Sequence, residues 1–246
     1  MEDVLDLYAE PYDAARPVVC FDEAGKELHD EVRPPEPAAP GRPARRDYEY
    51  ARRGTANLFV AVEPLAGVRR VTVTGRRTAA DFAEQMRRLC DEWYPEATVI
   101  RVVLDNLNTH GPQSLFGAFA PEEAWRLMRR LEFRHTPKHA SWLNMAELEL
   151  SVLSRQCLSR RIGDAATLAR EVAAWEGRRN AMRARIDWSF RAADARVKLA
   201  HLYPKTPQET SVSDHTPKRG AQRTRRSCGM FATRSAICRT RPFGPR

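Results

Sequence analysis

No run of about 18 or more apolar residues occurs in the sequence, so an apolar membrane-spanning helix is excluded as a reading. The amino terminus also lacks the basic start of a signal peptide, because its first ten residues include Glu2, Asp3, Asp6 and Glu10. Only five cysteines are present, at positions 20, 90, 157, 228 and 238. They are odd in number and scattered, which argues against both a disulfide framework and a cysteine zinc cage and favours a reducing compartment. The glycines never form G-x-x-x-x-G-K-[ST] or G-x-G-x-x-G, so the usual nucleotide-phosphate cradles are missing and nucleotide hydrolysis is disfavoured.

Positive charge is present in excess, with a formal net charge of +9 that suggests a polyanionic partner. Its distribution is uneven. Residues 205–246 hold ten Lys or Arg and two acids, whereas the remaining residues hold 31 bases and 30 acids. Apolar periodicity also stops there, so 205–246 read as a disordered tail, or as translation past a damaged gene end, rather than as a block-like basic arm.

The rest of the chain alternates strand and helix signals. Residues 1–16 read as a lead-in with one short helical face, Val4, Leu5, Leu7 and Tyr8. A strand is expected over 17–22. Five prolines and many arginines between 32 and 54 predict a long loop, in which Arg45, Arg46, Arg52 and Arg53 are candidate phosphate contacts with Tyr48 and Tyr50 interleaved. Residues 57–62 and 68–74 predict an antiparallel hairpin across the turn Glu63-Pro64-Leu65-Ala66-Gly67. Helices are expected over 78–94, 121–131, 143–160 and 165–183, with Thr78 and Asp164 as caps, and further strands over 98–104 and 132–135. This order predicts an α/β fold, a mixed β-sheet flanked by helices on both faces.

Two apolar runs end on acids: Val18-Val19-Cys20-Phe21-Asp22 and Val102-Val103-Leu104-Asp105-Asn106. Both acids would then lie at one sheet edge, and a third would have to come from a helix. Glu147 and Glu149 compete for that place, about 200° apart around the helix, so both cannot face one site. Three carboxylates within about 4 Å would repel by several kcal/mol per pair, and a cation would relieve this. Magnesium suits such a set, since two ions can serve the attacking and leaving oxygens of a phosphoryl transfer. Taken singly, each acid reads more readily as an ordinary structural carboxylate, since such acids outnumber catalytic ones. His135 and His139 have zinc-compatible spacing but no fourth ligand.

The stretches Cys20-Phe21-Asp22-Glu23, Asp47-Tyr48-Glu49-Tyr50, Leu104-Asp105-Asn106-Leu107-Asn108-Thr109-His110 and Thr136-Pro137-Lys138-His139-Ala140-Ser141-Trp142-Leu143-Asn144-Met145-Ala146-Glu147 resemble the catalytic half of bacterial insertion-sequence transposases of the mariner-like superfamily, a DDE superfamily endonuclease domain. Ile186-Asp187-Trp188-Ser189-Phe190 and Ala195-Arg196-Val197-Lys198-Leu199 fit that family's end, so the resemblance spans about residues 1–204. It implies a ribonuclease-H-like fold, a catalytic domain over 17–204, and Asp22, Asp105 and Glu147 as catalytic, metal-holding acids. Two Mg²⁺ or Mn²⁺ ions are the implied cofactors. The implied reaction is DNA strand cleavage at transposon ends, then attack of the freed 3′ hydroxyl on target DNA. A nuclease that never joins strands and a noncatalytic DNA-binding remnant are the alternatives. Lys138, His139 and Trp142 are candidate DNA contacts beside the catalytic helix, although Trp142 fits the core better. Asn106 and His110 are candidate supports for a phosphate or a metal-bound water, or else caps of the following turn. Implied partners are transposon-end and target DNA, further copies of the chain in an oligomer on DNA, and a separate helix-turn-helix chain. The implied setting is the bacterial cytoplasm and nucleoid.

Overall fold

The computed structural model describes residues 1–203; the expected tail over 205–246 lies outside the described residues. Five strands form one sheet: β1 (Val18–Glu31), β2 (Tyr50–Glu63), β3 (Val68–Thr74), β4 (Ile100–Leu104) and β5 (Leu131–His135). Their order is β3-β2-β1-β4-β5, with β1–β2 and β2–β3 antiparallel and β1–β4 and β4–β5 parallel. The mixed sheet expected from the element order is therefore present. Seven α-helices accompany it in the described residues: α1 (Glu2–Ala9), α2 (Ala79–Arg88), α3 (Pro112–Ala118), α4 (Pro121–Met128), α5 (Met145–Leu153), α6 (Ala165–Ala181) and α7 (Ala192–Lys198). None of these helices is long and apolar enough to cross a membrane.

Strand alternation sorts the core into two layers. Phe21, Phe59, Ala61, Val102 and Leu104 face α2, α3 and α4, through Phe82, Met86, Leu115, Ala124 and Leu127. Cys20, Val62 and Val103 face α1 and α5, while Leu58 and Val60 meet Leu168, Val172 and Trp175 of α6. Both faces of the central strands are thus covered, which is why Leu58–Val62 and Ile100–Leu104 are nearly unbroken apolar runs. Helix α6 also lies along the outer side of β3. Glu176 accepts from the Val71 amide at 2.8 Å, and Asn180 exchanges two bonds with the Arg69 main chain.

Several boundaries differ from the sequence expectation. The first strand does not stop at Asp22 but continues to Glu31, paired with β2 throughout apart from a bulge between Glu27 and His29. Past Ala24 only Leu28 is buried, so this two-stranded arm rests mainly on main-chain bonds and shows no apolar alternation. Accordingly β2 begins at Tyr50, and Arg52 and Arg53 belong to that strand rather than to the loop. Helix α3 was not expected: Gly111-Pro112 opens it, and its seven residues are too short for a helical period to show. The helix expected over 143–160 begins at Met145 and passes after Leu153 into wider turns over Ser154–Leu158. The helix expected to reach 131 ends at Met128, and Leu131 opens β5 instead.

Candidate active site

The parallel pairing of β1 with β4 ends at Cys20 and Val103. Two residues farther along each chain stand Asp22 and Asp105, side by side where β4 runs out and β1 continues alone with β2. Asp22 is consequently not at the end of its own strand, but it is at the carboxyl end of the parallel sheet. Helix α5 comes in on the Cys20 face, with Met145 and Ala146 packed against Cys20 and Val103.

Asn144 fixes that helix. It is 1% exposed, its Oδ1 accepts from the Ala146 amide at 3.1 Å to cap α5, and its Nδ2 donates to the Phe21 carbonyl at 2.8 Å. The Tyr8 hydroxyl adds a bond to the Leu143 carbonyl at 2.8 Å. Glu147 thereby sits in the first turn of α5, where a negative charge suits the helix dipole, and the tether of that helix falls on Phe21, the neighbour of Asp22 on β1. Asn144→Ala is expected to lower stability by about 1–3 kcal/mol, through loss of the cap and of a buried bond. A thermal melt checks this, and no change in midpoint would show that α5 is held by packing alone.

Glu147 and Glu149 diverge. Glu147 is exposed, whereas Glu149 is 1% exposed and lies among Arg69 and Arg179. Arg179 donates to both Glu149 oxygens at 2.9 and 3.0 Å. Arg69 Nε lies 3.0 Å from Oε1 as an ion pair without hydrogen-bond alignment, and its other nitrogens donate to the carbonyls of Gly67 and Ala184. The pair of acids that looked interchangeable along the sequence therefore has one buried structural member and one open member.

Burial pushes the Asp22 carboxyl up to about 7, the Glu23 amide works against this, and the charges of Asp105, Glu23 and Glu147 add to the rise. Among the described residues, neither Asp22 nor Glu147 has a Lys, Arg or His ion-pair partner. In the metal-free protein, an acid with a folded value above its unfolded value of about 4 costs stability as pH rises from about 4 to about 7. Asp22→Asn removes that cost, by about 1–3 kcal/mol at pH 8 and by almost nothing at pH 4. Melts in chelator at both pH values are expected to show the variant several degrees more stable only at pH 8; a variant no more stable at pH 8 would refute this.

His110 is 3% exposed, stacked near Phe82 with ring centroids 4.9 Å apart, and bonded to Asp105 Oδ1 at 2.6 Å and Glu23 Oε2 at 2.8 Å. Burial alone would lower its pKa, but the bond to Glu23 and the charges of Glu23 and Asp105 prevail and raise it. Asn106 donates its amide to the Thr136 carbonyl, tying the exit of β4 to the exit of β5. Lys138 and His139 are exposed on the loop entering α5, His139 with a left-handed φ of 65°. Trp142 is half-buried, stacked on Trp188 and edge-on to Phe190. Arg45, Arg46, Arg52 and Arg53 are exposed on the β1–β2 arm; Arg52 pairs with His29, roughly 20 Å along β1 from Asp22. Arg46 and Arg53 already pair with Glu31 and Asp30. The arginines are thus not gathered with the acids. Glu23 and Asn144 were quoted in the motifs without a role; an Asn three residues before a Glu at a helix start was the available signal for the second.

For a divalent ion the donor chemistry fits, since Asp22, Asp105 and Glu147 offer hard oxygens of one sign at one end of the sheet. Among the described residues, however, no three His, Cys, Asp or Glu side chains are drawn together as a ready metal cage.

Residues 17–169 match the family model described as DDE superfamily endonuclease. No curated protein matches the chain. Similar solved structures include the crystal structure of the Mos1 mariner paired end complex with Mn, at 17% identity and a TM-score of 0.49, covering 72% of this chain and 52% of that one. The Mos1 strand transfer complex follows at 14% identity and 0.49, covering 72% and 51%, and a pre-cleavage Mos1 transpososome at 17% and 0.47, covering 72% and 52%. This chain spans about half the length of those transposase chains.

Proposed function

Because this chain belongs to the DDE superfamily endonucleases, we propose that it is the catalytic domain of a DNA transposase that cuts DNA strands and joins the freed 3′ hydroxyl to target DNA. The observation that carries this is the meeting of Asp22 and Asp105 at the end of the parallel sheet, with Glu147 brought in on α5 and Asp22 sensing the charge of both. Asp22, Asp105 and Glu147 would hold Mg²⁺ or Mn²⁺. Two such ions, when bound, supply Lewis-acid stabilisation of the attacking and leaving oxygens. Asp22 stays in place because it lies within β1 opposite Val60 of β2, Asp105 because the Leu107 amide and His110 hold its carboxylate just past β4, and Glu147 because Asn144 pins its helix to β1. Glu149 belongs to the scaffold.

In this reading residues 17–204 are the catalytic domain and 1–16 its lead-in. Lys138 and His139 lie where DNA entering the site would pass, Trp142 supports that loop, and Arg45, Arg46, Arg52 and Arg53 offer phosphate contacts farther out. Partners are transposon-end and target DNA, other copies of the chain in an oligomer on DNA, and a helix-turn-helix unit that selects the ends; the setting is a bacterial insertion sequence. The test is incubation with DNA carrying the element's ends, with and without Mg²⁺ or Mn²⁺ and with a helix-turn-helix chain supplied. Metal-dependent cuts and joined products are expected. Cut ends without joined products would leave a nuclease of the same family, and no metal-dependent cutting would overturn the reading.

A further inference from the structure

We propose that His110 is a positioning residue for Asp105 and that Glu23 is the group that holds His110 in place. This rests on the reading of Asp105 as a metal-holding acid. Asp105 follows the last residue of β4, so no strand pairing restrains its side chain. Its Oδ1 is instead fixed twice, by the Leu107 amide at 3.1 Å and by His110 Nδ1 at 2.6 Å. Among the described residues Oδ2 has no hydrogen-bond partner, so it is the oxygen left for a cation.

The imidazole cannot swing away. Its side chain is 1% exposed, its ring lies on Phe82 and edge-on to Phe21, and its main-chain carbonyl accepts from His135 Nε2 at 2.9 Å. Its far nitrogen, Nε2, lies 2.8 Å from Glu23 Oε2, and the Glu23 side chain is only 5% exposed. Because side chains alternate along β1, Asp22 and Glu23 point to opposite faces. Asp22 is thus left on the α5 face, while Glu23 reaches His110 on the Phe21 face. Adjacent acids therefore act on the two sides of one sheet edge: one beside Asp105 directly, the other through the histidine that orients it. Partners one bond removed from metal-holding groups commonly change metal affinity 10- to 100-fold when removed.

The test compares wild type with Glu23→Gln, His110→Ala and the double variant, by the Mn²⁺ concentration at half of the metal-induced rise in melting temperature and by the metal dependence of DNA cleavage. Glu23→Gln keeps the histidine and its packing, and so remains informative if His110→Ala fails to fold. Each single variant is expected to raise the Mn²⁺ midpoint on the order of 10-fold or more, and the double variant to be no worse than His110→Ala, because both act on one chain of contacts. Midpoints unchanged in folded single variants would overturn the inference alone, as would additive effects in the double variant. Complete loss of the metal response in Glu23→Gln, equal to that in Asp22→Asn, would make Glu23 a ligand and overturn it too. A wild type with no metal response would sink the underlying reading and the inference with it.

Discussion

Alanine at Asp22, Asp105 or Glu147 is expected to reduce metal-dependent DNA cleavage on the order of 10³-fold or more, with the fold retained. Each carboxylate would neutralise and place an ion whose contribution to transition-state charge is several kcal/mol, and about 4 kcal/mol corresponds to a thousandfold in rate. The fold should survive because none of the three holds the core together. Asp22 and Glu147 lack ion-pair partners among the described residues, and Asp22 is held at a cost to stability rather than a gain. Cleavage rates and melts on the same preparations test this. Full activity in Glu147→Ala would reassign the third acid.

At Glu149 the expected result is reversed: the chain loses stability first, and activity only as a consequence. Glu149→Ala would leave Arg69, whose side chain is fully buried, and Arg179 without their carboxylate. Breaking a buried pair from one side typically costs about 3–5 kcal/mol. For a chain of this size that is a fall of roughly 10 °C in melting temperature. Replacing Arg69→Met with Glu149→Leu should recover part of the loss, because the fully buried Arg69 charge is no longer orphaned and only the partly exposed Arg179 is left without its carboxylate. A single variant that melts within a degree of wild type would show that the cluster adds nothing net.

These two carboxylates show where sequence reading stopped. A helical period places Glu147 and Glu149 on different faces but cannot say which face meets the sheet; Arg69 lies 80 positions away and decides it. The succession of strands along the chain and most helices were legible because their apolar patterns are strong, as in α2, where Thr78 also forms the expected cap. The outer half of β1 was not, since a two-stranded arm buries almost no side chains and leaves only main-chain pairing to define it. Asp105 was recognisable from its strand, whereas the contact between Glu23 and His110 joins two segments 87 residues apart and leaves no local pattern. The arginines of the proline-rich segment read as one cluster, yet two of them are committed to acids on β1.

The side chains of α6 along β3 bear on how copies of this chain can meet. An outer strand with free main-chain amides invites a second sheet to extend it, the route by which many proteins dimerise or aggregate. Here the Val71 and Arg69 amides and the Arg69 carbonyl are already taken by Glu176 and Asn180. An approaching strand would have to displace them to pair along Arg69–Val71. In the assembly on DNA proposed above, copies are therefore expected to meet through surfaces other than this stretch of β3.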